Sequence, residues 1–100
     1  PKVAQNKGIV YQMLNSSGSM MDNPAEGFGR GSNNEFRSFL AYGIDSGNEL
    51  ASQLIRLYDR DCITIEELNE HRSKIDSYCK QSNTLISKLN GSDLKGSRLK

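Results

Sequence analysis

The chain has 100 residues, 35% of them hydrophobic, and 13 Lys plus Arg against 12 Asp plus Glu leave a net charge of +1. That is one small domain of ordinary apolar content, which excludes wholesale disorder. No apolar run could span a bilayer, Pro1–Lys7 lacks the apolar core of a secretory signal, and Cys62 and Cys79 make neither a disulfide scaffold nor a zinc site.

The first element is the weakest. Ile9, Met13, Ser16 or Ser17, Met20 and Met21 form a helical stripe over roughly 8–22, interrupted by four poor helix formers at Ser16–Ser19. Pro24 then disfavours a helical Asn23, and Asn23-Pro24-Ala25-Glu26 reads as a fresh N-cap. A break near Asn23 is predicted, followed by a flexible connection through Gly27-Phe28-Gly29-Arg30-Gly31.

Two stronger helices follow. Phe36, Leu40, Gly43, Gly47, Leu50, Leu54 and Leu57 recur at alternating steps of four and three, as do Ile65, Leu68, Arg72, Ile75, Cys79, Ser82, Ile86 and Leu89. That alternation is the seam of a helix lying alongside others. Ser32-Asn33-Asn34-Glu35 and Thr64-Ile65-Glu66-Glu67 have the capping-box form. These signals predict helices over about 33–59 and 65–89, with Gly91 as a stop. The short link at Arg60–Ile63 folds the second pair back on itself, so the fold class is all-α, an antiparallel up-down helical bundle.

Residues 1–90 carry 10 basic and 11 acidic side chains, and the tail beyond residue 91 leans basic through Lys95, Arg98 and Lys100. A nucleic-acid binder would show a basic stripe on a folded element, and composition does not supply one. Gly27-x-Gly29-x-Gly31 fails as a phosphate loop because Ser32 stands where its last glycine belongs and no strand precedes it. The lone His71 excludes a His-pair metal site, and Ser77-Tyr78-Cys79-Lys80 lacks the companion motifs that make S-x-x-K catalytic. No enzyme, cofactor or small-molecule substrate is expected. Gly43-x-x-x-Gly47 invites close approach of another helix, either within the monomer or between subunits.

The stretch from Asn23 through Glu35-Phe36 to Phe39-Leu40 resembles the bacterial four-helix bundle proteins encoded in intervening sequences of 23S rRNA genes. The resemblance continues through Ser46, Glu49-Leu50, Gln53-Leu54, Ile63-Thr64 and Glu66-Glu67 to near Leu89. It implies a four-helix bundle with three helices present here, and a ring-shaped homo-oligomer, often a pentamer. The family also resembles in fold the accessory protein of diversity-generating retroelements, which binds nucleic acid. The matching motif positions are Asn23, Glu26, Gly27, Phe28, Gly29, Arg30, Ser32, Glu35 and Glu49. The resemblance implies corner and interface roles for them, with Glu26 and Arg30 paired and Ser32 with Glu35 as the capping box.

The chain departs from the family pattern at Pro24, Asp45 and Cys62, and a first amphipathic helix is missing ahead of Pro1. Three helices would leave a groove for a longer form of the chain, a partner or a sister copy to cover. A noncatalytic, oligomeric scaffold module is therefore the first expectation, with Phe36, Leu40, Gly43, Gly47, Leu50 and Leu54 at its packing and interface positions. A nucleic-acid-binding accessory protein is the second, holding phosphates through Arg30, Arg37, Lys95, Arg98 and Lys100. No membrane partner is expected, and the location predicted is the cytoplasm.

Overall fold

A computed structural model of the chain describes residues 3–91. A short 3-10 turn at Ala4–Asn6 leads into α1 (Lys7–Gly29), α2 (Asn33–Asp59) and α3 (Ile65–Gly91). The middle position belongs to α2: α1 and α3 each pack along it and hardly along each other. The Cα trace measures 52 × 21 × 12 Å, an elongated and thin bundle. No helix among the described residues is long and apolar enough to cross a membrane.

The predicted break at Asn23 does not occur. Helix α1 runs unbroken through Pro24 to Gly29, so the connection to α2 shrinks to Arg30-Gly31-Ser32. A proline inside a helix has no N–H to give the carbonyl four residues back, here that of Met20. The Tyr78 hydroxyl of α3 supplies the missing donor, reaching the Met20 carbonyl at 2.6 Å. Asn23 is no cap either; its side-chain amide donates to the Ser19 carbonyl at 3.0 Å, inside the same helix. A tertiary partner thus overrides the local signal.

The other boundaries follow their caps. Ser32 is the N-cap of α2, its hydroxyl accepting from the Glu35 N–H at 3.2 Å. Thr64 and Glu67 make the full reciprocal box, with Glu67 N–H to Thr64 Oγ1 at 3.0 Å and Thr64 N–H to Glu67 Oε1 at 2.9 Å. At the end of α2, Asp61 takes a left-handed conformation (φ 59°), and the Asp61 and Cys62 N–H groups close on the Tyr58 and Leu57 carbonyls. That pair of bonds is a Schellman stop with aspartate at the usual glycine position. At the other end α3 does not stop before Gly91 but includes it.

Two small apolar clusters form the core. Phe36, Leu40 and Leu89 join at one end, with Leu85 and Ile86 against them. Leu54, Leu68 and Ile75 join toward the other, flanked by Met13, Met20, Leu50 and Ile63. Between the clusters the chain narrows to the buried Gly43, Ser46 and Gly47 of α2 and Ser82 of α3. Among the described residues no large side chain is completely buried.

Candidate functional site

The motif residues from Glu26 to Glu35 lie at the corner where α1 meets α2. Arg30 Nε donates to Glu26 Oε2 at 3.0 Å and its Nη1 to Glu35 Oε2 at 3.4 Å. The guanidinium also lies 5.1 Å from the centre of the Phe39 ring, within reach of a cation–π contact. Glu35 in turn accepts from the Ser32 hydroxyl at 3.2 Å, so here the carboxylate takes the cap's own O–H. Phe28 meets Phe36 edge to face at 5.8 Å, while remaining largely exposed.

The glycines of this motif do different jobs. A Cβ on Gly27 would stand 2.5 Å from Phe39 Cβ and 3.3 Å from Phe36 Cα. Helix α2 therefore crosses α1 closely at this point. Gly31 has φ 87°, the left-handed turn that starts α2 on its way back. Gly29 has open space around it and needs neither freedom. Arg30, Glu26, Glu35 and Ser32 bond to one another, whereas the buried Asn33 Oδ1 beside them has no hydrogen-bond partner. The arrangement holds a turn.

Gly43 and Gly47 face inward. Gly43 lies beneath the Tyr78 hydroxyl and the Pro24 ring, and Gly47 beneath Cys79, Ile75 and Met20. Their missing side chains let α3 reach across α2 to α1, which is the within-chain reading of the pair. Phe36, Leu40 and Leu54 are buried in the two clusters and Leu50 is half-buried beside them. Burial pushes the Tyr78 phenol and the Cys79 thiol above their ordinary values, the latter helped by the charge of Asp76. A thiol held protonated is a packing residue rather than a nucleophile.

Two of the surface depressions among the described residues flank the bundle. One, of about 520 Å³, is polar and lies between α1 and α2, lined by Gln12, Asn15, Ser19, Glu49, Gln53 and Arg56. Glu49 of the motif belongs to this cleft, and the buried Gln53 Oε1 has no hydrogen-bond partner. The other, of about 430 Å³, is apolar and lies between α1 and α3 over Leu50 and Leu54 of α2. Its walls are Val10, Met13, Leu14 and Met20 from α1 and Ile75 from α3, with His71 and Lys74 on the α3 rim.

Of the candidate phosphate ligands, Arg30 and Arg37 lie within the described residues. Arg30 is held by two carboxylates, and Arg37 donates to Asn34 Oδ1 at 2.8 Å. Lys95, Arg98 and Lys100 lie outside the described residues. Sequence reading missed the Tyr78–Met20 bond and the outer face of α1. The first had a signal, a tyrosine beside the α3 seam and a proline that orphans a carbonyl. The second had one too, in the absence of charge from Gly8 to Met21.

No curated protein and no solved structure matches the chain. The family model described as 23S rRNA-intervening sequence protein matches residues 1–84. With the corner motif in place and three helices around it, the chain belongs to the 23S rRNA-intervening sequence protein family.

Proposed function

We propose that this protein is a noncatalytic, self-associating helical-bundle module that works by helix-on-helix contact, as an interaction or scaffold element. The observation that carries the reading is the apolar groove between α1 and α3, about 430 Å³ in volume and open to water. Burying apolar surface contributes about 25 cal/mol per Å², so a groove walled by leucine, methionine and isoleucine favours being covered. The thin core supports the same reading, because the three helices leave several of their large apolar side chains exposed. The polar constellation at Arg30, Glu26 and Glu35 is bonded among its own members, which supports a structural corner over a catalytic one. Light scattering at micromolar concentrations checks the proposal: self-association is expected, and a strict monomer overturns it.

A second reading has one observation in its favour. Leu89 packs against Phe36 and Leu40, which brings Arg30, Arg37 and Lys88 to the same end of the bundle. A nucleic-acid accessory role would use this end, with affinity falling as salt rises in proportion to the phosphates neutralised. A salt-dependent gel shift with RNA or DNA is its expected outcome, and no shift at low salt ends it.

A further inference from the structure

The polar cleft between α1 and α2 makes demands that the chain itself leaves unmet. Gln53 is only 8% exposed, yet its Oε1 has no hydrogen-bond partner. An unpaired buried acceptor costs stability, and an apolar side chain of the same shape would avoid that cost. Glu49, one turn earlier on the same line of α2, makes no ion pair or hydrogen bond with any described residue. Arg56, one turn later, donates to Gln12 Oε1 at 3.5 Å, a long hydrogen bond.

These groups are ordered along the cleft. Glu49 and Arg56 are the two charges of its lining, one of each sign, and seven residues of helix set them ~10.5 Å apart along the axis. Between them the lining is amide and hydroxyl, with Gln53 and Ser52 from α2 and Asn15 and Ser19 from α1. A cation alone would be repelled at Arg56, and an anion alone at Glu49. A zwitterion satisfies both ends, and an amide between its charges finds donors and acceptors in the middle. The volume of about 520 Å³ holds such a molecule with water around it. The cleft shares no residue with the apolar groove, so whatever covers the groove does not thereby fill the cleft.

We infer that this cleft binds a short zwitterion with an amide between its charges, a dipeptide being the simplest, its ammonium at Glu49 and Gln53 and its carboxylate at Arg56. An ammonium has three N–H donors. Glu49 takes one, and Gln53 Oε1 takes another once the carboxamide turns into the cleft about its soft last torsion. The carboxylate displaces Gln12 as the partner of Arg56, giving the guanidinium a charged acceptor in place of a neutral one. Two extended residues span up to ~7 Å, and a hydrogen bond of ~2.9 Å at each end bridges to the two side chains. The peptide group then lies against Asn15 and the serines. This site goes beyond the self-association reading and does not depend on it.

Isothermal titration of the whole chain with glycylglycine tests it, and saturable binding is expected. Glycylglycinamide lacks the carboxylate and N-acetylglycylglycine lacks the ammonium. Each should bind about tenfold more weakly, the worth of one charged hydrogen bond. Glu49→Gln should abolish the preference over the acetylated probe, and Arg56→Gln the preference over the amide. Gln53→Met should weaken binding severalfold while raising the melting temperature of the free protein, because it removes the unpaired acceptor. A merely structural glutamine would do the reverse and lower the melting temperature. No binding of glycylglycine, or binding that none of the three substitutions alters, overturns the site. Either result leaves self-association, read separately by light scattering, where it stands.

Discussion

The bond from the Tyr78 hydroxyl to the Met20 carbonyl, 2.6 Å long, is the one side-chain contact that lets a proline sit inside α1. Removing the donor leaves a partly buried carbonyl without a partner, which costs about 1–3 kcal/mol. Tyr78→Phe is expected to lower stability by that amount, read as a drop in the urea midpoint. The pH dependence has a definite sign. Burial raises the folded phenol's pKa above its unfolded value, so the protonated form is the one the fold favours. Its contribution is complete below an unfolded value of about 10 and is lost as pH rises through the higher folded value. Wild type should therefore lose more stability than Tyr78→Phe when both are moved from neutral pH to above the tyrosine range. The corner glycines give a second comparison. Gly27→Ala forces a methyl to 2.5 Å from Phe39 Cβ and should cost ~1–3 kcal/mol of overpacking. Gly29→Ala meets open space and should be neutral or gain up to about 1 kcal/mol from helix propensity. Thermal melts of the two variants, side by side, read the difference.

At the scale of elements, the caps should act independently. Ser32 and Thr64 start different helices, and each loses one side-chain acceptor on substitution. Ser32→Ala and Thr64→Ala should each cost about 0.5–2 kcal/mol, and the double variant should lose the sum, measured by urea unfolding. Helices α2 and α3 were legible in the sequence because their signals are local. The seam and the capping box put α2 at the bounds it adopts, Asn33–Asp59. The seam of α3 hid a distinction that only packing makes. Leu68, Ile75, Ser82 and Leu89, one residue per heptad, are buried, whereas Ile65 and Arg72 of the alternating positions are exposed and Cys79 and Ile86 are half-buried. The α3 seam is thus filled on one edge and open on the other. The course of α1 through Pro24 was illegible for a different reason. Its last partner lies 58 residues away, beyond any rule about neighbours. The corner motif could be recognised as a motif, but the separate tasks of Gly27, Gly29 and Gly31 depend on how closely α2 returns.

At the scale of the whole molecule, α2 serves both its neighbours and α1 and α3 are left with surplus apolar surface. That surplus gives the groove over Leu50 and Leu54 and the exposed Tyr11, Leu14 and Met21 beside it. A dye that brightens on apolar surface should bind the native protein when dilute. Its signal per chain should fall as protein concentration rises and copies cover the groove; a fluorescence titration at fixed dye ratio reads this. The long reach of Tyr78 has a consequence for the order in which the chain is made. Synthesis delivers α1 first, and the carbonyl that Pro24 orphaned can then be met only by water. Its protein donor exists only after the middle of α3 has emerged. The first helix of the described fold is thus among the last parts to be completed.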